Sequence, residues 1–398
     1  MEFNLSKKGL SIEPSVTLEI TAKAAALRAA GENVISFSVG EPDFNTPENI
    51  QDAGVEAIRK GVTKYTAASG TPELKEAICK KLKVENGLEY KPSNIIISNG
   101  GKHSIYNALL AILNPEDEVI FSTPYWVSYP DLVRIAGGVP VIIPTTEEKE
   151  FKFNSADLDQ FKTNRTKAVI LNSPSNPTGT VYTKEELQDI ADWAVKNNVF
   201  IISDELYEKL VYDGEEHVSI ASLGDDIKRL TILINGMSKA YAMTGWRIGY
   251  AAAEQEITKV MSNVQSHTTS NPSSVSQYAS VVGLSGDQSS IAAMRDEFDK
   301  RRLRMVELIN GINGLSCLKP KGAFYVMLNY SQYIGKEVEG MKINDSVDFT
   351  TLLLEKCKVA VVPGKAFGDD KYVRLSYVTS MENIENGLER VKNLLGSK

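Results

Sequence analysis

The sequence predicts an α/β protein with a mostly parallel seven-stranded sheet flanked by helices, together with a smaller α+β domain. Two observations support this prediction. Seven short apolar runs lie between residues 94 and 251, and helical patterns separate several of them. Because helices cover both faces of a parallel sheet, its strands are continuously apolar and do not alternate with polar residues.

The seven predicted strands are short, and most of them are rich in valine and isoleucine, which favour strands. They cover residues 94–98, 118–122, 139–143, 167–171, 199–203, 230–234 and 246–251. Helices are predicted at residues 102–113, after the first strand, and at 184–197, after the fourth. This alternation indicates a large domain over residues 46–285.

Two further regions flank the predicted large domain. Residues 1–45 contain one predicted helix, 17–30, which ends at Gly31, and we expect this segment to contribute to the small domain. Residues 286–398 are predicted to form the small C-terminal domain. Its predicted elements are helices at 291–311 and 381–395 and strands near 323–328, 359–362 and 372–377.

Composition argues against several classes of protein. The 398 residues carry 44 Lys and Arg against 51 Asp and Glu, a formal net charge of −7, which argues against a nucleic-acid partner. Apolar stretches are too short to span a membrane, and we expect a cytoplasmic protein without a secretory signal. The three Cys and three His are scattered, so neither a metal site nor a disulfide framework is predicted.

The loops after the predicted strands carry reactive side chains, at the edge where open α/β sheets bind ligands. Gly100 and Gly101 open a helix, whose N-terminus favours an anion. Asp204 follows a buried strand, so its carboxylate needs a partner, and Lys239 follows another. Trp126 offers a flat face to a ligand. Each feature also has a structural interpretation, as a turn glycine, a helix cap, a surface lysine or a core aromatic residue.

Taken together, these loops offer an amine, a carboxylate, a phenol, an amide, an aromatic face and, with Arg247, a cationic cradle. A nicotinamide enzyme does not need this set, and neither a G-x-G-x-x-G after the first strand nor a P-loop occurs. A pyridoxal 5′-phosphate (PLP) site needs a lysine and an acidic partner for the ring nitrogen. The residues therefore favour a PLP site.

Residues 236–249 resemble the PLP-attachment signature of class I aminotransferases of fold type I. The resemblance extends over nearly the whole chain. The sequence is similar in particular to bacterial aspartate aminotransferases, some of which also accept prephenate. The other segments that resemble family motifs are residues 38–44, 64–65, 100–102, 125–130, 172–179, 203–207, 322–325 and 373–377.

The resemblance implies a role for each residue around the PLP ring. Lys239 would hold the cofactor covalently and then move a proton as general base and acid. Asp204 would pair with the protonated ring nitrogen. Tyr207 and Asn176 would form hydrogen bonds with the 3′ oxygen of the ring, and Trp126 would stack on the ring face.

The phosphate of the cofactor is the next group for which the resemblance implies partners. Arg247 would bind it together with the backbone at Gly101 and Lys102, and Tyr65 would reach it from a second subunit. The implied protein is a homodimer with shared active sites. Many relatives carry a hydroxyl residue three positions before the lysine, where this chain has Gly236, and that weakens a side-chain contact to the phosphate there.

Substrate binding is implied at a second arginine. Arg374 would clamp the α-carboxylate in a bidentate fork, assisted by Asn176 and the backbone at Gly40. No Arg or Lys occurs in residues 262–277, where one branch of the family places a reader of the distal carboxylate. Lys102 is the candidate reader, and it could equally serve the phosphate alone. Further candidates beside it are Ser15 and Thr17.

The implied reaction converts L-aspartate and 2-oxoglutarate to oxaloacetate and L-glutamate, by ping-pong kinetics through pyridoxamine phosphate. One alternative keeps the fold and changes the substrate, to prephenate, aromatic or other amino acids, or to a β-elimination. Another is a non-catalytic PLP-binding regulator, which is disfavoured because the chain shows no helix-turn-helix and no basic patch.

Overall fold

A computed structural model describes residues 3–10, 12 and 16–396 of the chain. The α-helices are α1 Lys7–Leu10, α2 Val16–Ala29, α3 Glu48–Arg59, α4 Pro72–Asn86, α5 Gly101–Ile112, α6 Tyr129–Ile135, α7 Ser155–Phe161, α8 Lys184–Asn197, α9 Asp225–Leu230, α10 Gln255–Thr268, α11 Ser274–Ser285, α12 Ser289–Asn310, α13 Ser346–Leu352 and α14 Met381–Leu395. A short π-helix, Leu353–Cys357, continues α13.

The strands fall into one large sheet and several small ones. They are β1 Ile35–Ser36, β2 Ile95–Ser98, β3 Glu118–Ser122, β4 Val139–Ile143, β5 Thr166–Asn172, β6 Phe200–Asp204, β7 Thr231–Gly236, β8 Gly249–Ala252, β9 Ser316–Cys317, β10 Tyr325–Asn329, β11 Glu337–Val338, β12 Met341–Lys342, β13 Val359–Ala360, β14 Val362–Pro363 and β15 Tyr372–Ser376.

The large sheet has seven strands in the order β2–β8–β7–β6–β5–β3–β4. The pairs from β7 to β4 are parallel, and β8 is antiparallel to both of its neighbours. The predicted α/β class and the mostly parallel seven-stranded sheet are therefore confirmed. The carboxyl ends of β5, β6 and β7 lie side by side and deliver three loops to one edge of the sheet.

Alternate residues of the strands enter different hydrophobic clusters, because successive side chains point to opposite faces of a sheet. On β2, Ile96 packs with Ile105 of α5, whereas Ile95 and Ile97 pack on the opposite face with Leu74 of α4. Both faces are buried, which explains why the strands are continuously apolar. Each fully buried Ile or Leu contributes about 1.5–3 kcal/mol.

Helix α8 shows why some boundaries could be predicted from local sequence. The Thr183 hydroxyl accepts a hydrogen bond from the Glu186 N–H (3.3 Å), and the Glu186 carboxylate accepts one from the Thr183 N–H (2.7 Å). This reciprocal cap fixes the helix start. Asn198 then takes a left-handed conformation (φ 53°) and ends the helix.

The predicted start of the seventh strand at residue 246 is wrong, because β8 begins at Gly249. Thr244–Trp246 instead forms a 3₁₀ turn, and Arg247 is left-handed with φ 56°. The Trp246 indole N–H donates to the Thr46 hydroxyl at 3.0 Å. This tertiary contact holds the segment out of the sheet.

A second, four-stranded antiparallel sheet has the order β14–β15–β10–β9. The N-terminal segment contacts the C-terminal region that forms this sheet. Strand β1 pairs in parallel with β13, with Ile35 opposite Val359 and Ser36 opposite Ala360. The division into domains at residues 45 and 285 stays a prediction. Within the described ranges, no helix is long and apolar enough to cross a membrane.

Candidate active site

A cavity of about 500 Å³ lies beyond the carboxyl ends of β5, β6 and β7. Its walls contain ten of the eleven residues singled out from the sequence as site residues. These are Gly40, Gly101, Lys102, Trp126, Asn176, Asp204, Tyr207, Lys239, Arg247 and Arg374. The chain thus brings together residues that are up to 334 positions apart (374 − 40) around one concave space.

Lys239 lies in the loop between β7 and β8. Its Nζ donates a 2.6 Å hydrogen bond to the Gly40 carbonyl and lies 5.8 Å from the centre of the Tyr207 ring. Burial lowers the pKa of Lys239 to about 8, and the positive charge of Arg374 acts in the same direction. A lysine with a lowered pKa is neutral, and hence nucleophilic, far more often than an exposed one.

Asp204 is the last residue of β6, and it is buried. Burial raises its pKa to about 6, and the hydrogen bond from Tyr129 acts in the opposite direction. The Tyr129 hydroxyl donates to Asp204 Oδ2 at 2.6 Å, and the Leu206 N–H donates to Oδ1 at 3.4 Å. The site therefore contains a buried carboxylate suited to a cationic ring nitrogen.

Tyr207, Asn176 and Tyr325 form a small polar cluster in the cavity wall. The hydroxyls of Tyr207 and Tyr325 are 3.0 Å apart. Asn176 Nδ2 donates at 3.5 Å to each of these two hydroxyls. Burial raises the pKa of Tyr207 well above its ordinary value, so its phenol keeps its proton. The cluster can donate hydrogen bonds to an oxygen on a ligand.

Arg374 lies on β15 of the smaller sheet, and it is almost completely buried. Nη1 donates to Asn176 Oδ1 and Nη2 to the Ser38 carbonyl, both at 3.1 Å. The guanidinium lies between the rings of Tyr325 (4.4 Å) and Phe367 (4.9 Å). Its Nε has no partner in the described structure. A buried guanidinium with a free donor fits a carboxylate ligand.

Close contacts explain the glycines at the start of α5 and opposite it on β8. A Cβ on Gly249 would lie far inside contact distance of Gly100 and Gly101, and one on Gly101 would lie 2.6 Å from Leu206. Arg247 Nη2 donates to the Asn99 carbonyl at 3.2 Å, which holds the guanidinium beside this helix start. Free N–H groups and a cation at a helix N-terminus suit a phosphate.

The glycine at position 236 has a steric cause. Gly236 pairs with Gly249 across β7 and β8, and a Cβ on Gly236 would lie 2.8 Å from the Ile248 carbonyl oxygen. A hydroxyl residue therefore does not fit here. This gives a physical reason for glycine at position 236, and the weakened side-chain contact to the phosphate stays a prediction.

Lys102 and Trp126 face each other across the cavity. Lys102 Nζ lies 5.1 Å from the centre of the Trp126 ring, a cation–π contact. Partial burial lowers the pKa of Lys102, and the charge of Arg247 does so too. The lysine follows Gly101 at the start of α5, so its amine can serve either the helix N-terminus or a group further into the cavity.

The remaining predictions concern Tyr65, the eleventh site residue, and the further candidates Ser15 and Thr17. Tyr65 is 91 % exposed and lies outside the lining. Ser15 lies outside the described residues, and the side chain of Thr17 is not described either. Tyr65 therefore has no place in the cavity of its own chain, and its action from a second subunit stays a prediction, as do the roles of Ser15 and Thr17.

Two contributors had no assigned role at the sequence level. Tyr325 closes the polar cluster with Tyr207, and Tyr129 binds Asp204. Both lie inside family-like motifs, residues 322–325 and 125–130, so the signal was present. Their partners are 118 and 75 positions away in the chain, and only the fold shows such pairs.

A cluster of potential metal ligands lies behind the loop of Asp204. Ligand atoms of Glu205, Glu208 and His217 all lie within 4.8 Å of one another. Lys81 Nζ already pairs with Glu208, and His217 Nε2 lies 3.0 Å from Glu205. The Lys81 ammonium therefore balances one of these carboxylates without a metal ion, and the prediction of no metal site stays a prediction.

Comparison with known proteins agrees with this geometry. Residues 32–391 match the family profile of class I and II aminotransferases. An aspartate aminotransferase from Bacillus sp. (strain YM-2) is 48% identical over 97% of this chain and 98% of its own length. An aspartate/prephenate aminotransferase from Nitrosomonas europaea is 46% identical over 98% and 99% of the two chains.

A solved structure shows the same fold. The aspartate aminotransferase from Rhizobium meliloti superimposes with a TM-score of 0.95 at 44% identity, and the match covers 99% of both chains. The chain therefore belongs to the class I and II aminotransferases, and it is a PLP-dependent aminotransferase.

The residues present fit PLP on independent structural grounds. The buried Asp204 carboxylate, the glycine-lined start of α5 and the Lys239 amine offer partners for a ring nitrogen, a phosphate and an aldehyde, respectively. The unpartnered Nε of Arg374 leaves a donor for a substrate carboxylate. These groups share one cavity, so cofactor and substrate can lie side by side.

Proposed function

We propose that this enzyme transfers the amino group of L-aspartate to 2-oxoglutarate. One observation carries the proposal: besides Arg247, which is assigned to the phosphate, two cationic side chains, Arg374 and Lys102, line the cavity that contains Lys239. Both substrates are dicarboxylates, and two cations can bind two carboxylates. The printed names of relatives such as the Bacillus sp. enzyme support the same substrate class.

Bound PLP would supply an electron sink and would carry the amino group from one substrate to the other. Asp204 would hold a negative charge at the ring nitrogen and so keep that nitrogen protonated. Tyr207 and Asn176 would donate hydrogen bonds to the ring oxygen. Trp126 would cover one face of the ring and exclude water from it. The presence of all four side chains in the wall of one cavity supports these roles.

Lys239 is the residue that moves the proton. Its Nζ has a pKa lowered to about 8, so the neutral amine is able to take the proton from the substrate Cα. The same group would then donate this proton to the cofactor. Arg374 orients the α-carboxylate, and Asn176 holds the guanidinium through a 3.1 Å hydrogen bond. The Cα–H bond is thereby kept within reach of the amine.

Lys102 is proposed to bind the distal carboxylate of both dicarboxylates. Its pKa is lowered by partial burial, and the amine faces the aromatic ring that covers the cofactor. An ammonium is a point charge without a fork, so we expect modest discrimination between dicarboxylates and other substrates. The competing role is that Lys102 binds only the phosphate of the cofactor.

The working form is proposed to be a homodimer in the cytoplasm, without nucleic-acid or membrane partners. Tyr65 supports the dimer, because this tyrosine is 91 % exposed and lies outside the cavity of its own chain. In the dimer it would reach the phosphate held by the partner subunit. The net charge of −7 agrees with the absence of a nucleic-acid surface.

A second candidate function is transamination of prephenate, aromatic or other amino acids by the same site. The Nitrosomonas europaea relative, which is named an aspartate/prephenate aminotransferase, favours this candidate. Prephenate also carries two carboxylates, so the same two cations could bind it. Steady-state kinetics with a panel of donors and acceptors separates the two functions.

The decisive experiment compares Lys102→Gln with wild type on that panel. A lost charged contact costs about 1.5–3 kcal/mol, so kcat/KM for aspartate and 2-oxoglutarate should fall about 10- to 100-fold. Alanine, which has no distal carboxylate, should be affected less than threefold. Lys80→Gln, at an exposed lysine on α4, is the matched control, and it should leave kcat/KM unchanged for the dicarboxylates and for alanine. Equal losses for all substrates with weaker PLP binding would assign Lys102 to the phosphate.

A further inference from the structure

The loop formed by residues 38–44 (SVGEPDF) is a motif in which the family resemblance implies a role only for the backbone at Gly40. It runs from β1 to α3 and passes over the active-site lysine. The Ser38 carbonyl accepts a hydrogen bond from Arg374 (3.1 Å), and the Gly40 carbonyl accepts one from Lys239 (2.6 Å). Glu41 accepts a third, from the Thr244 hydroxyl at 2.6 Å.

The backbone of this loop has little support of its own. In the described structure, residues 39–45 take part in no backbone–backbone hydrogen bond. Side chains must therefore fix the loop's position. A shift of the loop would move both carbonyls away from the lysine and the arginine at the same time.

The far end of the loop is attached to helix α12. Arg301 Nη1 donates to both carboxylate oxygens of Asp43, at 2.8 and 2.9 Å. The side chain of Arg301 is only 9% exposed, and that of Asp43 is 32% exposed. The Arg301 guanidinium also lies 5.3 Å from the centre of the Phe44 ring, and Phe44 packs edge-on against Phe298 of α12 at 5.4 Å.

Helix α12 is a firm support for this attachment. Its residues Phe298 and Met305 belong to the main hydrophobic cluster. The next arginine along the helix, Arg302, is fully buried and pairs with Asp213 and Asp299. Because the helix is closely packed, it restricts the motion of a loop that is bound to it.

We propose that Arg301, through Asp43, is a positioning residue that holds loop 38–44 against Lys239 and Arg374. The inference rests on the proposed function, because it assumes that Arg374 binds the substrate α-carboxylate. Arg301 does not line the cavity. Its effect reaches substrate binding through the Ser38 and Gly40 carbonyls.

Kinetics test the proposal first. Arg301→Gln and Asp43→Asn should each raise KM for the amino-acid donor about tenfold, with kcat changed less than threefold. The double variant should be no worse than Arg301→Gln alone, because Arg301→Gln already removes the contact to Asp43, together with the contact of Arg301 to Glu297 within α12. Arg304→Gln is the matched control on α12; its guanidinium pairs with Glu307 and Glu385 and should change nothing.

Limited proteolysis of the cofactor-free protein gives a readout that does not depend on activity. Thermolysin should cut within residues 38–46 about tenfold faster in Arg301→Gln than in wild type, with cleavage elsewhere unchanged. Equal cleavage rates in this loop, or a loss of kcat without a rise in KM, would overturn the proposal. If wild type transaminates no amino acid, the proposed function fails, while the proteolysis result still decides whether Arg301 positions the loop.

Discussion

Asp204 shows how single contacts set the chemistry of this site. Burial raises its pKa to about 6, while the 2.6 Å hydrogen bond from Tyr129 favours the charged form. Near neutral pH most of the Asp204 side chains are therefore ionised. A neutral carboxyl would give the cofactor ring nitrogen no anionic partner, so the Tyr129 hydroxyl supports the anion that the reaction needs.

Replacing Tyr129 by phenylalanine removes only that hydroxyl. The Asp204 pKa should then rise above about 6, since the charged form loses its donor. PLP affinity should fall by about tenfold at pH 6 and recover as the pH rises through the new pKa. Equilibrium dialysis of the cofactor-free protein against PLP, as a function of pH, measures this.

The control for that variant is Tyr125→Phe, at a tyrosine in the loop just before α6 that does not line the large cavity. Its affinity profile should match wild type. If the profile of Tyr129→Phe also matches wild type, the Tyr129 hydroxyl does not set the charge of Asp204.

At the scale of elements, boundaries set by local contacts could be predicted from the sequence, whereas boundaries set by tertiary contacts could not. Helix α8 was predicted to the residue because its cap, Thr183 with Glu186, is local. The strand predicted from residue 246 began too early, because Trp246 is held by Thr46, 200 positions away. Sequence patterns capture contacts within a few residues, and distant contacts have to be seen in the fold.

A second prediction concerns the close approach of Gly249 on β8 to Gly100 and Gly101 at the start of α5. Gly249→Ala would place a Cβ against the backbone of Gly100 and Gly101. We expect a loss of about 1–3 kcal/mol in the free energy of unfolding and weaker PLP binding, since the N–H groups for the phosphate are displaced. Urea denaturation of the cofactor-free protein measures the first effect.

Gly245→Ala is the matched control, because no atom lies within 4 Å of a Cβ at that position. It should unfold within about 0.5 kcal/mol of wild type, as surface changes usually do. Equal stabilities of the two variants would show that the close approach of β8 to α5 does not require glycine.

At the scale of the whole molecule, the candidate site could be predicted almost completely within one chain. Ten of the predicted residues share the cavity, because each follows a strand or lies in a family-like motif. Tyr65 differs, since it is 91 % exposed and lies outside the cavity. A residue that acts across a subunit interface leaves no trace in the packing of its own chain.

Mixed dimers test whether Tyr65 acts across the interface. In a dimer of one Tyr65→Ala chain and one Lys239→Ala chain, one site contains an intact Lys239 from the first chain and an intact Tyr65 from the second. That site should bind PLP with wild-type affinity, whereas the Tyr65→Ala homodimer should bind it about tenfold more weakly. Two different affinity tags allow the mixed dimer to be purified. Weak binding by the mixed dimer would mean that Tyr65 serves its own chain.

The most direct test of the proposed reaction is an absorbance spectrum of the purified protein, with Lys239→Ala beside it. Wild type should show the visible band of lysine-bound PLP, lose it when L-aspartate is added and regain it with 2-oxoglutarate. Lys239→Ala should lack the band of the lysine-bound form. A wild-type band that ignores aspartate and responds to another amino acid would contradict the aspartate assignment, and no band after PLP is supplied would contradict the role of Lys239 itself.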